Sequence, residues 1–161
     1  NYNLPNILAA VAIGQYFGVS EEHICDAIAE YLPQNNRSQI IKTDSNTIIA
    51  DYYNANPTSM RAALDNFLQI KAPQKIAILG DMLELGENSL PEHQAIIDLC
   101  KTEDLKAIFI GTNFMALKNE HFLFFSDVQN CNAYLKTYKI ENSLILMKGS
   151  RGIRLEEIVL Y

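Results

Sequence analysis

An α/β domain with a Rossmann-like, mostly parallel sheet and helices on both faces is the fold this sequence predicts. Two observations carry the prediction. From about residue 38 onward, short apolar runs alternate with helical patterns, the order that builds parallel strands joined by crossover helices. Polar and glycine residues then gather directly after those runs, where an open α/β sheet binds its ligands.

The elements follow in order. Residues 5 to 17 read as a helix, with Ile7, Ala10, Val11 and Gly14 on one face, Phe17 extending it, Pro5 near its start and Gly18 ending it. Ser20 caps a second helix with Glu21 and Glu22 in its first turn and Ile24, Ala27, Ile28 and Tyr31 as its buried stripe. The segment Pro33 to Arg37 breaks the pattern and is the expected domain boundary, giving 1–36 as a helical unit and 37–161 as the α/β domain. Ser38 to Lys42 and Thr47 to Ala50 read as a hairpin around Thr43-Asp44-Ser45-Asn46. Asn56-Pro57 starts a helix whose inward side carries Met60, Leu64, Phe67 and Lys71. Lys75 to Leu79, Ala107 to Ile110, His121 to Phe125 and Ser143 to Met147 are the further strands. Between them lie a helix opened by a capping box at Ser89-Leu90-Pro91-Glu92 and carrying Ile96, Ile97, Leu99 and Cys100, and one opened at Ser126-Asp127-Val128-Gln129 and carrying Val128, Cys131, Leu135 and Tyr138. Lys148 to Gly152 is expected to open a final helix.

Composition narrows the function classes. Hydrophobic residues make up 48% and charged residues 20%, as in a water-soluble globular domain. A net charge of −6 leaves no basic surplus for nucleic acid, so no nucleic-acid partner is expected. Cys25, Cys100 and Cys131 are far apart, which fits neither a disulfide framework nor a zinc site, and no metal site is predicted. No apolar run is long enough to span a membrane, and a cytoplasmic location is expected. The chain begins at Asn1 and stops at Tyr161 within an apolar helical pattern, so a fragment of a longer polypeptide is expected.

Right-handed crossovers place every parallel strand's carboxyl end on one edge. Asp51 to Pro57, Gly80-Asp81, Gly111-Thr112-Asn113 and Lys148 to Arg151 meet there. Asp51 suits ribose hydroxyls or a metal-bound water, or equally a loop hydrogen bond. Of Tyr52 and Tyr53, one belongs to the core; Asn54 and Asn56 also suit a turn. Lys148-Gly149-Ser150-Arg151 suits an anion at a helix start, or a solvated loop. His93 follows the Asp81 loop, within reach of the edge, although a lone histidine is more often structural; Arg37 on the linker reads by itself as a solvated side chain. HExxH, GxSxG, GxGxxG and GxxxxGK[ST] motifs are absent.

Taken together, Tyr2-Asn3-Leu4-Pro5-Asn6-Ile7-Leu8-Ala9-Ala10, Asn35-Asn36-Arg37-Ser38, Asp51-Tyr52-Tyr53-Asn54-Ala55-Asn56-Pro57, Leu79-Gly80-Asp81-Met82-Leu83-Glu84-Leu85-Gly86 and Lys148-Gly149-Ser150-Arg151 resemble, in order and spacing, the C-terminal part of a Mur ligase. The resemblance covers the whole chain. It implies that 1–36 is the tail of a central ATPase domain and 37–161 a C-terminal Rossmann-like domain. The implied reaction is ATP-dependent amide formation through an acyl phosphate, joining D-alanyl-D-alanine to UDP-N-acetylmuramoyl-tripeptide in peptidoglycan precursor synthesis. ATP and Mg2+ would be used, with the metal ligands in the central domain. By the same resemblance Asn3 and Asn6 contact adenine, Asp51 the ribose, and Arg37 the γ-phosphate as the catalytic cation. Tyr53, Asn54, Asn56, Asp81, His93, Lys148, Ser150 and Arg151 would face the substrates. Tyr2 departs from the histidine common at that place, and the asparagine pair remains. A monomer is expected, inactive without the upstream domains, which would be its partners in the same chain. A folylpolyglutamate synthase-like ligase and a free-standing Rossmann-like nucleotide-binding or phosphoacceptor module are the alternatives.

Overall fold

The computed structural model describes residues 4–31 and 36–160. They belong to two compact units, divided between Pro33 and Gln34. The first is a pair of helices, α1 (Leu4–Tyr16) and α2 (Glu21–Glu30). Gly18 at φ +73° turns the chain between them and donates its N–H to Gln15. Ser20 caps α2 by accepting from the N–H of His23. Ile24 is the buried residue of α2 and lies against Gly14, where a Cβ would sit 2.9 Å from its side chain. The rest of the expected stripe differs: Ala10, Phe17, Ala27 and Tyr31 are exposed, because two short helices cannot cover each other's apolar surface.

The second unit is the α/β domain. β1 (Gln39–Lys42) and β2 (Asn46–Asp51) form the expected hairpin, closed by Thr43, whose N–H donates to the Asn46 carbonyl at 2.9 Å. Then follow α3 (Pro57–Gln69), β3 (Lys75–Gly80), α4 (Ser89–Thr102), β4 (Lys106–Ile110), α5 (Thr112–Ala116), β5 (Leu123–Phe125), α6 (Val128–Thr137) and β6 (Ser143–Lys148). The six-stranded sheet runs β1-β2-β6-β3-β4-β5, parallel except for β1.

Residue alternation along these strands fills both faces. Ala77, Leu79, Phe109 and Leu146 point to the side covered by α3, α4 and α5, with Met60, Leu64, Phe67, Ile96, Ile97 and Cys100. Ile76, Ile78, Ile108, Ile110, Ile145 and Met147 point to the side of α6, with Val128, Cys131 and Leu135. This division follows from strand order. The crossovers β2 to β3, β3 to β4 and β4 to β5 advance in one direction, whereas β5 to β6 returns; right-handed connections therefore place α6 on the opposite face. β6 is inserted between β2 and β3, so the loop after it leaves toward the opposite face from its two neighbours' loops. In open α/β sheets such a switch point is where ligands bind.

Burial sorts the three thiols. It pushes the buried Cys100 and Cys131 each up to about 12, while Cys25 is exposed. A thiol reagent at pH 8 should label the folded chain once, quickly, and all three positions only after denaturation; fast labelling at Cys100 or Cys131 would contradict the packing.

Several local expectations need correction. Among the described residues no α-helix follows Lys148: the chain makes separate 3-10 turns at Arg151–Ile153 and Leu155–Glu157, interrupted by Arg154 at φ +59°. Ser89 is not a cap. A 3-10 turn at Gly86–Asn88 runs directly into α4, so Ser89 already has helical angles and cannot take the extended conformation that capping requires. At α6 the cap is Asp127, one residue later than Ser126, and accepts from the N–H of Asn130 at 2.8 Å. Lys71 lies beyond the end of α3 and is exposed, as is Tyr138 at the end of α6. The short helix α5 was not foreseen. The segment Pro33 to Asn35 of the expected linker lies outside the described residues.

Candidate active site

Asp51 and Lys148 are register partners at the ends of β2 and β6, so their side chains leave the sheet side by side. The Lys148 ammonium is buried, 2.7 Å from Asp51 Oδ2, and donates a second hydrogen bond at 3.2 Å to the Asn54 carbonyl. The other Asp51 oxygen, Oδ1, accepts from the Ser38 N–H at 3.0 Å. Ser38 and Asn36 both have left-handed backbone, at φ +54° and +57°. Between them stands Arg37, exposed, its guanidinium 4.1 Å above the ring of Tyr53. Arg151 approaches the same ring at 5.7 Å. Tyr53 is 42% exposed while Tyr52 is 7% exposed, so the expected division of that pair holds. Burial, and after it the charge of Glu156, raises the Tyr52 hydroxyl above the ordinary range of tyrosine. The edge thus displays two arginines around one aromatic ring, a surface suited to anions.

The loop after β3 is built differently. Asp81 is 1% exposed, and its two oxygens accept from the N–H groups of Asn113 and Phe114 at 2.8 and 2.9 Å, at the start of α5. Gly111 has φ +127°, and a Cβ there would collide with the Asp81 carboxylate. His93 is fully buried against Phe114. Its Nδ1 lies 2.7 Å from the Ser89 carbonyl and therefore carries the proton; its Nε2 accepts from the Met82 N–H at 3.0 Å. The 3.5 Å approach of Nε2 to Asp81 Oδ1 is thus a contact between a lone pair and an oxygen, without an ion pair.

Ser150 joins three loops. Its N–H donates to the Asp81 carbonyl, its hydroxyl accepts from the Leu83 N–H at 2.9 Å and donates to the Ala55 carbonyl at 3.3 Å. Gly149 lets these loops touch: a Cβ on it would lie 2.8 Å from the Gly80 Cα. Asn56 caps α3 in a reciprocal capping box with Ser59, and Asn54 Oδ1 accepts from the Ala55 N–H. The structural reading of this turn holds.

The structure brings Arg37, Asp51, Tyr53, Asn54, Lys148, Ser150 and Arg151 into one corner, with Asp81 and His93 inside the adjoining loop. Arg37, Tyr53, Asn54, Asn56 and Arg151 are exposed, whereas Asp81, His93, Lys148 and Ser150 are buried. Asn6 lies on an exposed turn of α1 in the first unit, and Asn3 is outside the described residues. Ser38 and the amides of Asn113 and Phe114 were not singled out from sequence. A serine at a strand start carries no signal of its own, and amides carry none. Among the described residues no group of three His, Cys, Asp or Glu side chains could hold a metal ion. Among them no helix is long and apolar enough to cross a membrane.

A mostly parallel α/β sheet with helices on both faces and a cationic corner at its switch point is a fold of the Rossmann-like class. Residues 36–151 match the family model described as Mur ligase, glutamate ligase domain, and the chain belongs to the Mur ligase family. It is similar to the UDP-N-acetylmuramoyl-tripeptide–D-alanyl-D-alanine ligase of Bacillus subtilis (strain 168), 32% identical over 169 residues that cover 98% of this chain and 37% of that protein. Among solved structures, the UDP-N-acetylmuramoylalanyl-D-glutamyl-2,6-diaminopimelate–D-alanyl-D-alanyl ligase of Acinetobacter baumannii superposes with a TM-score of 0.83 at 29% identity, over 97% of this chain and 35% of that one. The MurF ligase of Thermotoga maritima in complex with ADP shares the fold, with a TM-score of 0.78 at 24% identity, over 95% of this chain and 36% of that one. The chain thus spans about a third of the length of the curated relatives it matches.

Proposed function

We propose that this chain is the nucleotide-closing part of an ATP-dependent amide ligase that joins D-alanyl-D-alanine to UDP-N-acetylmuramoyl-tripeptide in the cytoplasm. The observation that carries the reading is the corner where Arg37 and Arg151 flank Tyr53 beside Asp51. The similarity to ligases of that name over nearly the whole chain supports it.

A carboxylate is a poor electrophile, so ATP first phosphorylates it and ADP leaves. The dipeptide amine then attacks the acyl phosphate, loses a proton, and phosphate departs from the tetrahedral intermediate. Such a reaction needs positioned cations more than covalent help from the protein. In this reading Arg37 stabilises charge on the transferred phosphoryl group, and Arg151 holds a carboxylate of the acceptor. Tyr53, Asn54 and Asn56 line the acceptor side. Asp51 meets the ribose through the lone pairs left by Ser38 and Lys148, and Asn3 and Asn6 serve the adenine. Asp81, His93 and Ser150 act from within, by shaping the Met82–Leu85 loop toward the substrates. Among the described residues no group of three His, Cys, Asp or Glu side chains could hold magnesium, whose ligands belong in this reading to the central domain. The first unit is the tail of the central domain, which its largely exposed apolar helix α1 supports.

Phosphate release by the full-length polypeptide tests this. Release should require ATP, UDP-N-acetylmuramoyl-tripeptide and D-alanyl-D-alanine together, and omission of any one should abolish it. Equal release with a folate and glutamate in place of the last two would favour the folylpolyglutamate synthase-like reading.

A further inference from the structure

We infer that Lys148 is the positioning residue for Arg37, acting from within the sheet on both supports of that guanidinium. The inference rests, for its catalytic part, on the ligase reading above.

A lysine ammonium is costly to bury, and Lys148 is 2% exposed at the end of the central strand β6. It is held there by two acceptors that belong to different parts of the corner. Through Asp51 Oδ2, at 2.7 Å, it fixes the carboxylate whose other oxygen receives the Ser38 N–H at 3.0 Å. Ser38 and Asn36 carry left-handed backbone on either side of Arg37. That conformation is strained for a residue other than glycine and persists only where neighbouring structure holds it. The Asp51 carboxylate is one of the groups that hold Ser38, through its N–H and its hydroxyl. Through the Asn54 carbonyl, at 3.2 Å, Lys148 fixes the turn that presents the Tyr53 ring, and that ring lies 4.1 Å under the Arg37 guanidinium. The two paths start at one ammonium and end on one guanidinium, the first through its backbone and the second through its aromatic support. Lys148 itself faces Asp51 and Asn54, with no surface left for a substrate.

Two readouts on the full-length protein test this. In hydrogen exchange, Lys148→Met should speed exchange of a peptide covering residues 36–40 at least tenfold, with strands β3 and β4 unchanged. This arm does not depend on the reaction assigned. In ligation kinetics, Lys148→Met should lower kcat about 10²-fold, the order that misplacing a positioned group costs. The KM for the dipeptide should stay within about twofold. The double variant Lys148→Met/Arg37→Ala should be no slower than Arg37→Ala alone, within about threefold, because both changes remove the same interaction. Lys148→Arg keeps a cation for Asp51, and should retain the fold where methionine does not. It should restore protection at 36–40 and recover most of the lost kcat. Unchanged exchange at 36–40, losses that multiply in the double variant, or a selective rise in the dipeptide KM would overturn the inference. Absence of any ligase activity in the wild-type protein would instead sink the ligase reading and leave the exchange result to decide this one.

Discussion

Arg37→Ala in the full-length polypeptide should lower kcat for ATP-dependent ligation by roughly 10²–10³-fold, the usual cost of removing one donor from developing charge. The guanidinium is exposed at the carboxyl edge, its backbone preset by Asn36 and Ser38 and its plane supported by Tyr53. Lysine should rescue little of the loss. An ammonium reproduces the charge, but neither the planar fork for a phosphoryl group nor the same stacking on the ring. Steady-state phosphate release at saturating substrates reads the effect. A loss below about fivefold, within what a solvated surface arginine can cause, would remove Arg37 from the reaction.

The largest effect on stability is expected at Asp81. Asp81→Ala should destabilise the α/β domain by about 2–4 kcal/mol, because one buried and one half-buried amide lose the carboxylate that accepts from them. Those amides, of Asn113 and Phe114, open α5, and Phe114 is itself fully buried against Phe109 and His93. Loss of the carboxylate therefore loosens the α5 corner of the core as well as the loop. Urea unfolding followed by far-ultraviolet circular dichroism measures it, since the chain has no tryptophan to report. A change under about 0.5 kcal/mol would show that Asp81 is held for binding and not for structure.

The sheet was legible from sequence because each strand pairs a short apolar run with a polar turn at its end. β3 and β4 are apolar on both alternations since helices cover both faces. Asn56-Pro57 was legible as a helix start because the cap and its proline are adjacent in sequence. Features set by strand order were not. Nothing local says that β6 lies between β2 and β3, so the pairing of Asp51 with Lys148, 97 residues apart, could not be read. That pairing changes the meaning of both residues. Each looks like a free ligand-binding group by position, and in the fold each is the other's partner. His93 and Asp81 show a related limit: sequence placed them near the edge and could not reveal that both side chains are buried. The expected final helix failed because Gly149 sits where loops cross at backbone contact, Gly152 lies under the Leu83 side chain, and Arg154 takes a left-handed turn.

Ligation itself is the most direct measurement. The full-length polypeptide, given ATP, UDP-N-acetylmuramoyl-tripeptide and D-alanyl-D-alanine, should yield a product whose mass equals the two substrates joined with loss of one water, with one phosphate released per product. Phosphate release without that product, or the product's formation at an undiminished rate by the Arg37→Ala variant, would contradict the account.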